Sequence, residues 1–266
     1  EFMAEAALPF AVRVQGAFLG WPAELEKSLI RWVRKNHEAT LAQDRKAMSE
    51  IALEFDGIID DLLKTRLQAR AGPETDLIAS LMYEKVRVRT LNNEELASIL
   101  RNWTVGEIGT ISAAVGILAE FVANRPDVQS QLRSQRELLP AAIDEILRLH
   151  GPLVANRRVT TRPVELGGRE IGADERISIN WISANRDASV FDDPDTFRLD
   201  RDPSKNLLYG AGIHVCPGAP LARLEMRVFM EELLLLTGEI APVSEKPATL
   251  AAYPASGFSV LPLRIR

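Results

Sequence analysis

The chain has 266 residues, 46% apolar and 26% charged, enough to bury a sizeable core. A net charge of -5 gives no general attraction to nucleic acid or anionic lipid, and a single cysteine excludes disulfide frameworks and four-cysteine zinc sites. No run of 18 uncharged apolar residues occurs, no signal-peptide pattern opens the chain, and the cysteine usage fits a reducing, cytoplasmic compartment.

Glu1 and Phe2 precede Met3, so either they are an added scar or the chain is a piece of a longer protein. The first 150 residues read as helices. Apolar residues recur at three- and four-residue spacing over Ala11–Leu19, Glu24–Asn36 and Lys46–Ala71. Gly72–Asp76 is a break. Asn92 and Glu95 have capping-box spacing, and Pro126 follows the end of a helix over 93–125, a rod of about 50 Å. A shorter helix starts at Pro140 and runs to about His150. The texture then changes. Val164–Leu166 and Arg169–Ile171 flank Gly167-Gly168, a hairpin signal, and Arg176–Asn180 alternates as a strand does. Residues 184–215 read as an irregular connection. A last amphipathic helix spans Ala219–Leu236, with Gly238 placed to end it, and Phe258–Leu261 suggests a closing strand. The fold class is mainly α with a small β region, in one domain over 1–266.

The informative segment is Tyr209-Gly210-Ala211-Gly212-Ile213-His214-Val215-Cys216-Pro217-Gly218. Its glycines allow positive φ and close approach of backbone to a bulky flat group. Cys216 stands just before a helix, whose N-terminus favours a thiolate. Backbone N–H groups there can hydrogen-bond the sulfur. A structural cysteine in a glycine-rich loop is the plain alternative. A cysteine–histidine hydrolase also puts its nucleophile at a helix start, but leaves the glycines unexplained.

This loop resembles the haem-binding loop of the cytochrome P-450 family, aromatic-Gly-x-Gly-x-His/Arg-x-Cys-x-Gly, with Tyr209 where phenylalanine is usual. The resemblance implies the P-450 fold lacking its N-terminal third, haem b as cofactor, and Cys216 as the iron ligand. It also implies that Tyr209, Gly210 and Gly218 frame the haem and that His214 meets a propionate. Other segments match. Glu145 and Arg148 form the family's Glu-x-x-Arg pair, with Arg201 as the third member and Arg198 as its rival. Arg158 corresponds to a propionate-binding arginine, with adjacent Arg157 competing, and Leu153, Val154 and Asn156 border the substrate space. Thr110 falls on the oxygen-activating threonine. Gly106, Gly109, Thr110 and Ala113 share one helical face, where two glycines suit a packed macrocycle or a close helix crossing.

One departure stands out. The family's acid before the threonine is Gly109 here, and Glu107 lies about 200° from Gly109 around the helix. A water-filled distortion at Gly109–Thr110 is therefore expected. The implied activity is insertion of one atom of dioxygen into a mostly apolar small organic substrate, with electrons from a ferredoxin or flavoprotein. The alternatives are a peroxide-driven oxygenase and a truncated, non-catalytic haem- or ligand-binding remnant. No nucleic-acid or membrane partner is implied.

Overall fold

The structure, a computed structural model, describes residues 1–69, 72–86 and 88–266. Its contacts group into two compact units, Ala4–Ser112 and Ala113–Arg266 with Glu1–Met3.

The first unit is helical. A π turn at Met3–Ala7 leads into α1 (Leu8–Leu19), followed by α2 (Glu26–Leu41), α3 (Arg45–Ala69) and α4 (Leu77–Tyr83). The helix expected to reach Ala71 is described to Ala69; Arg70 and Ala71 lie outside the described residues. Helix α1 ends because Gly20 takes a left-handed φ of 63°, and Trp21 N–H then bonds back to Gly16 O at 2.8 Å. An aromatic core follows: Trp32 and Trp21 pack on Phe55 at 4.5 and 5.8 Å between ring centroids. The Trp32 indole N–H is satisfied by Ile51 O at 2.8 Å. Asp76, read above as part of a break, has two tasks. It caps α4 by accepting from Ala79 N–H at 2.7 Å, and it receives Arg66 Nε on both oxygens at 2.9 Å. Strands β1 (Lys85–Val86) and β2 (Arg89–Thr90) form a small hairpin that the sequence did not announce.

Helix α5 (Asn93–Asn124) is the long rod expected, and the capping box forms in both directions at 2.9 Å. By length and composition it could cross a bilayer, yet 61% of its most apolar window is buried inside the protein. From Ala114 to Ala123 it supplies the core of the second unit, where Val115, Leu118, Ala119 and Val122 have no exposure. Helix α6 (Pro126–Ser134), missed in the sequence, follows at once. Helices α7 (Leu139–Leu149) and α9 (Ala219–Leu236) pack on each other, and the four-residue α8 (Trp181–Ala184) lies between them in sequence. The paired strands in this unit are β3 (Ala155–Val159) with β6 (Arg176–Asn180), β4 (Val164–Leu166) with β5 (Arg169–Ile171), β7 (Ile240–Pro242) with β10 (Leu263–Ile265), and β8 (Thr249–Leu250) with β9 (Phe258–Val260). Gln129 ties two elements by donating to Val122 O and Ile240 O. Phe2 is buried, and its N–H donates to Leu261 O at 3.0 Å, so the residues before Met3 are packed rather than loose.

Candidate functional site

The cysteine loop is built by two left-handed glycines. Gly210 has φ 74° and Gly212 φ 65°, conformations that L side chains rarely adopt. They bend the chain so that Cys216 N–H donates to Tyr209 O at 2.8 Å, closing the loop on itself. Gly212–His214 is a single 3-10 turn, and Gly218 is the N-cap of α9. Cys216 therefore sits two residues before the helix N-cap, free and exposed. A Cβ on Gly218 would lie 3.8 Å from its sulfur. Apolar side chains flank it in the open: Ile213 is 95% exposed and Val215 54%. His214 is also exposed.

A second layer holds the loop. The Trp181 ring lies 4.0 Å from where a Cβ on Gly210 would be, and its indole N–H donates to Asn156 Oδ1 at 2.7 Å. The Asn156 amide oxygen is thus engaged in supporting the loop. Leu153 bridges to Ala255, and Val154 exchanges backbone bonds with Pro254 and Trp181. Arg158 is half-buried on β3, with its guanidinium donating to Arg157 O at 2.8 Å, while Arg157 is exposed. Sequence reasoning passed over Trp181; an isolated tryptophan between a strand and a loop carries no periodic signal.

The carboxylate–arginine cluster is buried. Arg148 is 1% exposed and Glu145 5%, and Arg148 Nε and Nη2 grip the two Glu145 oxygens at 2.7 and 2.9 Å. Arg201 Nε reaches Glu145 Oε1 at 2.8 Å. Arg198 gives only its backbone N–H to Glu145, at 3.1 Å, and its side chain pairs with Asp200. Arg148 and Arg201 also donate to the carbonyls of Asn185, Pro194, Asp192, Asp193 and Thr196. The cluster therefore pins the irregular connection to α7.

In the other unit, α5 runs through Gly109 and Thr110 without a break, so the expected distortion is absent. Thr110 Oγ1 donates to Gly106 O at 2.6 Å and lies 3.2 Å from Glu107 O, so its hydroxyl is turned back onto the helix, which continues through it. A Cβ on Gly106 or Gly109 would meet nothing within 4 Å, so both glycines border open space. A cleft of about 220 Å³ reaches Gly109 between Asn36, His37 and Thr40 of α2 and Thr104 and Val105 of α5. Glu107 is turned elsewhere: its Oε2 accepts the Trp103 indole N–H, and Trp103 stacks on Phe18 at 5.7 Å.

The glycine-framed exposed cysteine and the buried Glu145–Arg148–Arg201 cluster agree with what comparison with known proteins finds. The Cytochrome P450 family model matches residues 24–236. The chain belongs to the cytochrome P450 family. It is 31% identical over 235 residues to cyclomarin C epoxidase CymV of Salinispora arenicola, covering 88% of this chain and 60% of that protein. It is 30% identical over 266 residues to the steroid C26-monooxygenase of Mycolicibacterium smegmatis, covering 96% of this chain and 65% of that one. Among solved structures, the P450 TbtJ1 superposes with a TM-score of 0.90 at 27% identity, over all of this chain and 70% of its own. CYP109E1 of Bacillus megaterium in complex with testosterone gives 0.89 at 25% identity, covering 99% and 72%. The fold is thus the P450 fold, mainly helical with small sheets, and this chain spans about 60% of the length of the curated relatives it matches. Haem b is the cofactor of this family.

The P450 cofactor fits the residues present. Cys216, one free thiol among exposed apolar side chains and glycine backbone, would hold the haem iron as its thiolate ligand, and the apolar surroundings would suit a flat apolar group. No cluster of three or more histidine, cysteine or acidic side chains that could hold a bare metal occurs among the described residues.

Proposed function

We propose that this chain, as one domain over 1–266, is the larger part of a cytoplasmic haem-thiolate monooxygenase that inserts an oxygen atom into a mostly apolar small organic molecule. The carrying observation is Cys216, exposed at the start of α9 in a loop closed by two left-handed glycines. Haem iron bound by a thiolate supplies oxygen activation in this family. The protein's part is to hold and orient. Cys216 is the iron ligand, Gly210 and Gly218 let backbone approach the ring, and Tyr209 closes the loop through its carbonyl. His214 and Arg158 are assigned to the two propionates, since both are cations or donors on the same unit as the cysteine. Thr110 offers a hydroxyl on the α5 face opened by Gly106 and Gly109. Leu153, Val154 and Asn156 border the substrate. Glu145, Arg148 and Arg201 are structural.

The named activities of relatives support the substrate class: an epoxidase of cyclomarin C, a steroid monooxygenase and a methyl-branched lipid omega-hydroxylase. Electrons come from a ferredoxin or flavoprotein. A peroxide-driven oxygenase is the second reading, favoured by Gly109 in the place of an acid and by Glu107 being held by Trp103. The test is the absorption spectrum of the reduced, carbon-monoxide-treated protein. A thiolate-type Soret band is expected, and its absence would overturn the assignment. Turnover with peroxide alone, at the rate seen with a reductant and dioxygen, would select the second reading.

A further inference from the structure

Arg223 and Arg227 lie one turn apart on α9 and invite a reading as a pair of surface cations for an electron donor. Their surroundings differ. Arg227 pairs with Glu231 of its own helix, at 3.7 Å. Arg223 reaches across to α7, where its Nε lies 3.2 Å from both carboxylate oxygens of Asp144. Its guanidinium carbon stands 4.5 Å from the centre of the Tyr209 ring. Asp144 is itself fixed, since its carbonyl accepts Asn206 Nδ2 at 3.1 Å and it is the residue before Glu145. Tyr209 in turn receives Cys216 N–H on its carbonyl. Its hydroxyl is buried with no hydrogen-bond partner.

We propose that Arg223 is a positioning residue of the Cys216 loop, clamped between Asp144 and the Tyr209 ring, whose charge bears on the thiolate. This rests on the haem-thiolate reading above. A cation held against the loop that carries a thiolate ligand would favour the more negative, reduced state of the iron centre, by an amount that solvent screening reduces because the Arg223 side chain is 49% exposed. Removing it makes reduction harder. Removing Asp144 leaves Arg223 uncompensated and makes reduction easier. A purely structural clamp would instead move both variants the same way. The pair also walls an open cleft of about 280 Å³ with Pro140, Ile143, Leu224 and Arg227, so a shorter side chain there leaves no sealed cavity, and Arg227 serves as a cation on the same cleft that touches neither Asp144 nor the Tyr209 ring.

The experiment is a spectroelectrochemical titration of the haem-loaded protein, with the carbon-monoxide band as a check on ligation. At a fixed applied potential, Arg223→Gln is expected to lower the ratio of reduced to oxidised iron several-fold, and Asp144→Asn to raise it several-fold. A tenfold change corresponds to 59 mV for one electron. Arg223→Lys, which keeps the charge, should stay close to the parent, and Arg227→Gln should change the ratio less than twofold. If Arg223→Gln fails to take up haem, Asp144→Asn against Asp144→Glu decides: an upward shift in the first alone supports the inference. Shifts of the same sign, no shift, or an equal shift in Arg227→Gln overturn it. A parent lacking the thiolate-type band overturns the functional reading, and this inference with it; a parent that has the band but shows parallel shifts overturns only the inference.

Discussion

The Cys216 loop and the Gly106–Thr110 turn of α5 both carry residues assigned to oxygen chemistry, and they are built in opposite ways. The loop contains a single 3-10 turn, closes on itself through Cys216 N–H to Tyr209 O, and is backed by side chains from elsewhere: Trp181, tied to Asn156, lies against Gly210, and Arg223, tied to Asp144, lies over the Tyr209 ring. The α5 turn is ordinary helix, held by its own backbone ladder, with the Thr110 hydroxyl bonded back to Gly106 O and open space at both glycines. An irregular loop needs outside partners to fix its conformation, because no backbone ladder does so. A helix needs none, and can leave one face bare. Substitutions should therefore be felt through the fold at the first region and through chemistry alone at the second.

The largest expected effect is at the loop. Cys216→Ser should abolish the thiolate-type Soret band, read in the reduced carbon-monoxide spectrum; a variant that keeps the band would remove Cys216 as ligand.

Next is the cluster beneath the loop's neighbours. Glu145→Ala leaves Arg148 and Arg201 without their carboxylate, at 1% and 10% side-chain exposure. Breaking such a buried pair costs about 3–5 kcal/mol. The melting midpoint should fall by on the order of 10 °C. A fall of a degree or two would mean that the backbone carbonyls around Arg148 and Arg201 suffice without the charge.

At the α5 turn the contrast is tested in the other direction. Gly109→Asp places a side chain in open space, so stability should change by no more than about 1 kcal/mol. The share of reducing equivalents ending in product rather than peroxide should rise, because a titratable group then stands beside Thr110. Glu107→Gln keeps an acceptor for the Trp103 indole and should leave that share near the parent's. A large loss in Glu107→Gln would make Glu107 the proton source despite its tie to Trp103.

The smallest effect concerns pH. His150, at the C-cap of α7, is held below the usual histidine range by burial first and then by Arg186 and Arg148. The folded state thus resists a proton that the unfolded chain takes up near pH 6.5. This contribution is fully present above about pH 6.5 and is lost as pH falls through that value toward the lower folded pKa. Urea midpoints at pH 7.5 and 5.5 should show a smaller acid loss in His150→Gln than in the parent. Equal losses would place the acid sensitivity elsewhere, for example on the carboxylates.

The sequence by itself determined the long α5 with its capping box, the β4–β5 hairpin, β6 and α9, because each is written in local periodicity, a cap or a turn pair. It also fixed the glycine-framed cysteine, because positive φ and a helix start are local demands. Helices α4 and α6 and strands β3 and β7 were not legible: each is short, and its partners are distant in sequence, as the Ile240 backbone N–H and carbonyl are bonded by the Gln129 side chain. The sequence offered Arg201 as the partner of Glu145 and left Arg198 as its rival. Only the folded connection decided between them, turning Arg198 to Asp200 and Arg201 inward. Likewise Asn156 reads in the sequence as bordering the substrate space and Arg223 as a cation for an electron donor, and the fold gives them Trp181 and Asp144 as partners from other elements. The reason is the same throughout: spacing along the chain specifies which face a residue takes, while the partner of a polar group is chosen by whatever the tertiary fold brings within hydrogen-bonding distance.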